Sequence, residues 1–520
     1  MKHSFFKGAI VLTSGILISR LIGIFFVFPF SRLVGPLGLS LFSYAYIPYT
    51  IFIDISTLGI PLGLSKLVSK YNSNKEYNKS RKVFFLSLIF LSIIGIISFL
   101  LMNFFSNTYA KMVLGGDNLE NSIDDVSYVI RMVSYSILII PAISVFRGYL
   151  QGHQKMAPTA ISQIVEQVIR VIIILMVSYK IMVLGDGDYV SAIGYSVLGS
   201  FFGAIGAFII LLIFFFRLPK RRSEEEFNIL EVSKEMISYA IPFAFFGLSF
   251  PLFQLVDSLF FNRALLEYGI SNPEVYYGVY SFQVQKLIFI PVAFAIGLSG
   301  SIMPSITESV EHQKYQEVHE KIFKGLNYVF IFLIPISFFT MLFSKNIYAL
   351  FYSNKEIGAR ILFEYSSIIL LFGLNNALVG IMQGSKVGKY LYFSIPSGVL
   401  IKLALSYMLI RKFGVFGAIL SSFLGMLFMV VFNTYMLHKK NLMEFSMIAR
   451  KIALYFSIAL GLVLIIYPFY KHFPYDGDSI FLNVIYLSSY GLIFFLSYFL
   501  IINLFKNKAY KSQKEELLIK

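Results

Sequence analysis

Residues 83–102 read VFFLSLIFLSIIGIISFLLM, twenty consecutive positions without a charged side chain. At 1.5 Å per residue a helix of that length is about 30 Å long, the thickness of the hydrocarbon layer of a bilayer. The flanks differ in charge. Ahead of the run stand Lys66, Lys70, Lys75, Lys79, Arg81 and Lys82, whereas beyond it a single Lys111 faces Asp117, Glu120, Asp124 and Asp125. Positive charge accumulates on the cytoplasmic side of membrane proteins, so this span is read as running from inside to outside.

The rest of the chain repeats the pattern. Charged residues make up 14% of the 520 positions, against about 25% in a soluble protein, and hydrophobic residues reach 57%. A water-soluble fold would have to expose much of that surface, which excludes an ordinary cytosolic enzyme. Apolar runs predict fourteen spans, at 8–34, 40–65, 83–106, 127–150, 158–180, 189–216, 236–262, 279–304, 323–343, 361–383, 390–410, 413–437, 451–470 and 480–505. The fold class is therefore an all-α polytopic membrane protein. The first run is too long for a cleaved signal peptide and is expected to remain as a helix.

Further Lys and Arg residues fall in even-numbered connections, with Arg217, Lys220, Arg221 and Arg222 after the sixth span, and in the tails, with Lys2, Lys7 and a lysine-rich stretch from Lys506. Both termini are accordingly expected in the cytoplasm. This placement accounts for the net charge of +16 as topology and leaves no nucleic-acid surface to explain. The absence of cysteine removes disulfides and thiolate chemistry, and with no tryptophan the interfacial aromatic role falls to the 34 tyrosines.

An internal repeat divides the chain. Gly148-Tyr149-Leu150-Gln151-Gly152 recurs as Gly380-Ile381-Met382-Gln383-Gly384, an offset of 380 − 148 = 232. The end of the second span, Gly59-Ile60-Pro61, is echoed by Gly297 onward in the eighth, an offset of 297 − 59 = 238. Two six-helix lobes follow, both entering from the same membrane face, around a central cavity, as in parallel-repeat transporters. The expected domains are 1–222, 223–440, a further helix pair at 441–505, and a basic cytoplasmic tail at 506–520.

Charges inside spans cost about 2.5–3.5 kcal/mol at the helix centre and so mark cavities or partners. Arg20 lies twelve residues past Gly8, about 18 Å along the helix and near mid-membrane. Asp54, Asp257, Lys286 and Lys402 are the other deep charges. Glu166 and Arg170 stand four apart in one helix, the spacing of a self-neutralised pair, and Arg131 is near enough to Asp124 and Asp125 to pair structurally. The basic residues suit an anion, since the planar guanidinium offers paired donors to phosphate or carboxylate. Enzyme signatures are lacking. Gly384-Ser385-Lys386-Val387-Gly388-Lys389 is one residue short of a phosphate-binding loop and ends in Tyr390, so it reads as a turn, and the six histidines have no metal-ligand spacing. No metal or cofactor is expected.

Three segments carry a resemblance: Ser19-Arg20-Leu21-Ile22-Gly23, then Gly59-Ile60-Pro61 with Ser65 through Tyr71, then Arg147 through Gln154 with Pro158-Thr159 and Glu166-Gln167. They resemble the MurJ and SpoVB-type members of the multidrug/oligosaccharidyl-lipid/polysaccharide flippase superfamily, over essentially the whole chain. The resemblance implies a V-shaped cavity between two lobes, a groove for a lipid tail on the last two helices, and transport of undecaprenyl-pyrophosphate-linked peptidoglycan precursor between leaflets of the bacterial plasma membrane. It implies a required cavity arginine at Arg20, a cationic position near Lys286 and cation coupling at Asp257; with the deep charges Asp54 and Lys402 these make the expected headgroup site, and Gly59, Pro61, Arg147, Gln151, Glu166 and Arg170 are the expected structural or gating residues. Phe26 and Asp54 stand where family members often carry basic residues, and Ser406 where asparagine is common. The membrane potential, sodium or protons would drive such a carrier, and cell-wall synthesis proteins are the further partners the activity implies. A flippase for another lipid-linked glycan and a cation-coupled drug exporter are the rival readings.

Overall fold

The computed structural model describes residues 2–57, 59–116, 119–219, 229, 234–235, 247–352, 355–475, 477 and 479–519, with no strand among them. They form two compact units, Met1–Phe282 and Gln283–Lys520. The first holds α1 (Lys2–Phe25), α2 (Val27–Thr57), α3 (Ile60–Ser73), α4 (Tyr77–Leu114), α5 (Ile123–Ser134), α6 (Ile140–Gly152), α7 (Ala157–Met182), α8 (Tyr189–Ser196), α9 (Gly199–Phe216), α10 (Ser249–Tyr268) and α11 (Pro273–Gly278). The second holds α12 (Gln285–Glu311), α13 (Tyr315–Leu342), α14 (Ser344–Phe351), α15 (Lys355–Gly384), α16 (Leu391–Phe413), α17 (Val415–Lys439), α18 (Phe445–His472) and α19 (Ile480–Ile519).

Among the described residues eleven helices are long and apolar enough to cross a membrane, or twelve with the bent pair Pro273–Ala293 and Ala295–Glu311 taken as one. Much of the expected seventh span, 236–246, lies outside the described residues, as do Lys220, Arg221, Arg222 and Asp117. The expected boundary between the first two spans is visible inside α2, where Gly35 adopts φ 65° and ψ 177°. Only glycine takes that conformation readily, and Pro36 follows it. Large apolar side chains such as Phe104 and Phe216 are exposed on the outer faces of α4 and α9, as lipid-facing surfaces require.

Because lipid tails are as apolar as leucine, these helices associate through small residues and close backbone approach. A Cβ at Gly15 would meet Ala160 Cβ at 2.5 Å, seating α1 on α7. Gly199 and Gly203 of α9 lie against the Arg170 and Glu166 carbonyls, where a Cβ would sit 2.8 and 2.6 Å away. The short α3 is packed differently. Leu64, Leu67, Val68 and Tyr71, at helical spacing, are buried against Phe84, Phe146 and Tyr149, while Lys66 and Lys70 are exposed.

The two repeat offsets reappear as geometry. Gly152 abuts the Ser65 carbonyl and Val68 of α3, and Gly384 abuts the Met303 carbonyl and Ile306 of α12. Each glycine pair differs by 232 positions and each partner pair by 238. Beyond the glycine, Gln154 and Lys386 both turn left-handed, with φ 58° and 59°, and the amides of Lys155 and Val387 donate to the carbonyls of Leu150 and Met382 at 3.0 and 3.1 Å. Lys75 and Gln313, 238 apart, end their helices with φ 64° and 56°. The segment from Gly384 to Lys389 is thus the second copy of a structural turn.

Packing and repeat do not divide the chain at the same place. Helices α10 and α11 belong to the first compact unit, where they are bonded to α2 and to the segment before α5. Arg131 does not meet Asp124 or Asp125 as expected. Asp125 is committed to a capping box with Ser122, and Arg131 donates instead to Ser106 Oγ at 3.0 Å and Asn107 Oδ1 at 3.4 Å. In the second unit, Asn346 of α14 donates to Asn483 Oδ1 at 3.1 Å and accepts from Tyr470 at 3.0 Å, tying α18 and α19 to one point.

Candidate functional site

Helix α1 carries Arg20 along the seam with α7. Ser19 Oγ donates to the Gln163 carbonyl at 3.3 Å, and Gly23 passes beside the Gln167 amide. Arg20 therefore stands level with residues 163–167 of α7, turned off the packed stripe, and it is exposed. Among the described residues it has no acid and no hydrogen-bond partner. A guanidinium at this depth must be met by water or an anion, given the insertion cost.

The same level of α7 carries Glu166, whose partner is not the one its spacing suggested. Arg147 Nη2 of α6 reaches Glu166 Oε2 at 2.7 Å, with side-chain exposures of 16% and 20%, and its Nε donates to Ser162 Oγ at 3.0 Å. Arg170 instead donates to Gln167 Oε1. A pair on one helix surface contributes only about 0.3–0.5 kcal/mol, whereas Arg147 approaches across the α6–α7 hairpin with two donors engaged. Gln151 Nε2 donates to Thr159 Oγ1 at 3.4 Å and pins the hairpin's tip. Gly148 closes on Pro61, whose carbonyl would be 2.6 Å from an added Cβ, so Gly59-Ile60-Pro61 abuts the Arg147 hairpin directly. Beside Arg170, Tyr46 and Ser200 share a hydrogen bond of 2.6 Å. Asp54 is half-buried on the last turns of α2 and makes no ion pair among the described residues.

Breaking the Arg147–Glu166 bridge should be costly. Arg147→Ala leaves Glu166 largely buried without its cation, and about 2 kcal/mol of stability should be lost, less than for a fully buried pair because a fifth of each group is wet. Thermal unfolding of the purified protein would show a lowered midpoint for Arg147→Ala, and a smaller loss for Arg147→Met combined with Glu166→Gln.

The other candidates stand on α10, α12 and α16. Asp257 of α10 is buried and accepts from the Tyr280 hydroxyl at 2.9 Å. Among the described residues no cluster of three or more His, Asp or Glu residues could hold a metal. Lys286 is half-buried in the first turn of α12, directly after the π-helical segment Val279–Val284, a wide turn found mostly at functional positions. Lys402 is fully buried between α16 and α17 and donates to Ser422 Oγ at 2.5 Å. It stands 232 positions after Arg170 and is its repeat counterpart, while Glu166 corresponds to Gly398 and Arg147 to Val379. The second repeat keeps the cation and drops the ion pair.

One cluster escaped sequence reasoning. Glu274 of α11, 1% exposed, accepts from the backbone amides of Glu120 and Asn121 at 2.8 and 3.1 Å and from Asn121 Nδ2 at 2.7 Å. Asn262 Nδ2 donates to the Tyr44 hydroxyl at 2.7 Å and to the Val113 carbonyl at 3.0 Å, and Tyr44 stacks on Tyr277 at 4.7 Å. Helices α2, α10 and α11 are thereby clasped to the end of α4 and to the segment before α5. The only sequence signal was an acid following Asn272-Pro273, and its partners lie some 153 residues away.

Known proteins share this architecture. A family model described as polysaccharide biosynthesis protein matches residues 5–310. The chain is 34% identical over 470 residues to the lipid II flippase MurJ of Bacillus subtilis (strain 168), covering 87% of this chain and 86% of that protein. It is 21% identical to stage V sporulation protein B of the same organism, covering 88% of each chain. Among solved structures, a lipid II flippase MurJ in an inward closed conformation aligns with a TM-score of 0.68 at 15% identity, covering 95% of this chain and 98% of the other. An inward-facing multidrug resistance MATE family transporter aligns with a TM-score of 0.67 at 14% identity, covering 85% and 99%. With a family model spanning more than half its length and a MurJ relative above 30% identity across most of it, the chain belongs to the polysaccharide biosynthesis protein family, as a MurJ-type member.

Proposed function

We propose that the protein is a flippase that carries undecaprenyl-pyrophosphate-linked peptidoglycan precursor, lipid II, from the inner to the outer leaflet of the bacterial plasma membrane. The observation that carries this reading is Arg20: a mid-membrane guanidinium without an acid among the described residues, in a chain 34% identical over most of its length to a lipid II flippase. Its fork suits a diphosphate, and Arg147, held by Glu166, forms the rigid wall behind it. Lys286 supplies a second cation, Lys402 and Asp54 set the field around the headgroup, and Gly59 and Pro61 are the point where α2 yields. The polyprenyl tail stays in lipid, along the groove of α18 and α19. No bond is made or broken in the substrate, so no catalytic residue is required.

Transport alternates access, and the Glu274 clasp is the outward closure that must open to release the headgroup. The membrane potential resets the empty carrier, since one charge crossing it is worth about 2.3 kcal/mol per 100 mV. Asp257 and Tyr280 are the site where sodium or a proton would couple instead. Both termini are cytoplasmic, and cell-wall synthesis proteins that consume the precursor are its partners.

Two measurements test this reading. Purified protein reconstituted in vesicles should move labelled lipid II and leave teichoic acid and capsule precursors behind. Equal transport of the alternatives would shift the assignment to another lipid-linked glycan. Because the chain has no cysteine, Lys155→Cys is a unique label site. A membrane-impermeant maleimide should modify it only after cells are permeabilised, and labelling of intact cells would invert the topology.

A further inference from the structure

A cavity in the first unit is lined by none of Arg20, Arg147 and Glu166. It has a volume of about 490 Å³ and opens where α3, α4, α9 and the α6–α7 turn converge. Arg81, His153 and Lys155 line it, together with the aromatic side chains of Tyr149, Phe215 and Phe216. No carboxylate lines it among the described residues. Among the described residues, two nearby acids are already engaged, Glu76 with Lys79 at 2.7 Å and Glu235 with Lys70 at 3.1 Å. Arg81 and Lys155 are exposed and have no acid partner among the described residues.

The apolar wall is rigid and leads out to lipid. Phe215 stacks on Phe84 at 5.0 Å, and Phe84 packs on Tyr149 at 4.6 Å. Phe216, next along α9, is 73% exposed. A ligand that fits must therefore pair a phosphate with a hydrocarbon chain, the phosphate against Arg81 and Lys155 and the chain along Phe216. Basic residues mark each connection that converges here, Lys75, Lys79, Arg81 and Lys82 after α3, Lys155 after α6 and Arg217 after α9, which puts the cavity at the level of the inner-leaflet headgroups. That level rests on the orientation proposed above.

We propose that this cavity binds the phosphate headgroup of an anionic phospholipid of the inner leaflet, as a site separate from the transported substrate. The lipid would brace α3 against the α6–α7 turn, next to the Gly148–Pro61 contact.

The test uses the full-length protein, stripped of lipid in detergent and titrated with phosphatidylglycerol, phosphatidylcholine or inorganic phosphate while bound species are counted by native mass spectrometry. Phosphatidylglycerol should bind in preference to phosphatidylcholine. Arg81→Glu combined with Lys155→Glu should weaken it about tenfold or more, as two reversed charges near a phosphate require. Ser73→Trp, which plugs the cavity from an exposed position without changing charge, should weaken it by a similar factor. Lys439→Glu combined with Lys440→Glu, basic positions outside the cavity, should leave it unchanged.

An equal loss in that control, or no loss in the cavity variants, would overturn the site. Displacement of phosphatidylglycerol by millimolar inorganic phosphate would overturn the lipid assignment in favour of a soluble phosphate ligand. Lipid II transport in the same samples is scored separately. Its absence with selective phosphatidylglycerol binding intact counts against the flippase reading alone, and Lys155→Cys labelling from outside counts against the orientation.

Discussion

Arg20→Ala should fail to support growth of a strain depleted of its lipid II flippase while accumulating in the membrane at normal levels. The expected loss follows from what the guanidinium does. A paired, charge-assisted contact to a diphosphate is worth about 3 kcal/mol when one partner is truncated in a desolvated site, or roughly a hundredfold in transport rate. Folding should be nearly untouched, because Arg20 is exposed, lies beside the Gly15, Ser19 and Gly23 stripe that packs on α7, and has no partner to orphan among the described residues. Arg20→Lys keeps the charge and loses the fork, so about a tenth of the wild-type rate should remain. Growth of the alanine variant at the wild-type rate would remove Arg20 from the transport mechanism.

The second large effect is expected at the outward clasp. Glu274→Ala strands the buried backbone amide and side-chain amide of Asn121 and the part-buried backbone amide of Glu120. Each unmatched buried donor costs about 1–3 kcal/mol, so a net shift of roughly 3 kcal/mol towards the open arrangement is expected, about a hundredfold in the equilibrium. Ser40 reports on this, since it is fully buried and accepts from Asn121 Nδ2 at 3.4 Å. A Ser40→Cys variant should be almost inert to an impermeant maleimide from outside and should label about a hundredfold faster when Glu274→Ala is added. Glu274→Gln should lie between, because Asn121 Oδ1 has no bond in the closed arrangement and the Asn121 amide can turn to accept from the new glutamine. Equal protection of Ser40→Cys in all three backgrounds would show that Glu274 does not hold the closure.

Periodicity and composition made much of the fold legible. The apolar runs gave most of the spans, eleven or twelve among the described residues against fourteen expected, and the five-residue G-x-x-Q-G motif gave the repeat, because a glycine that must meet a carbonyl at van der Waals limits is constrained in both copies. Charge partners were read less well. Glu166 was expected to find Arg170 and Arg131 to find Asp124 or Asp125, since sequence distance is the only proximity a string displays. In the folded chain Arg147 comes across a hairpin, and Asp125 is already spent on capping its own helix.

The amino-acid order by itself determined that the solvent is lipid, that two related halves exist, and that the first helix carries an arginine within an apolar run. Those properties are local, set by transfer free energies and helical rise along a single segment. Only the tertiary structure decided which acid neutralises which base, that Lys402 is enclosed while Arg20 is not, and that Glu274 binds a loop far away in the chain. Such pairings depend on how helices distant in sequence approach one another. That approach is fixed by small-residue seams and backbone hydrogen bonds whose partners no linear spacing encodes.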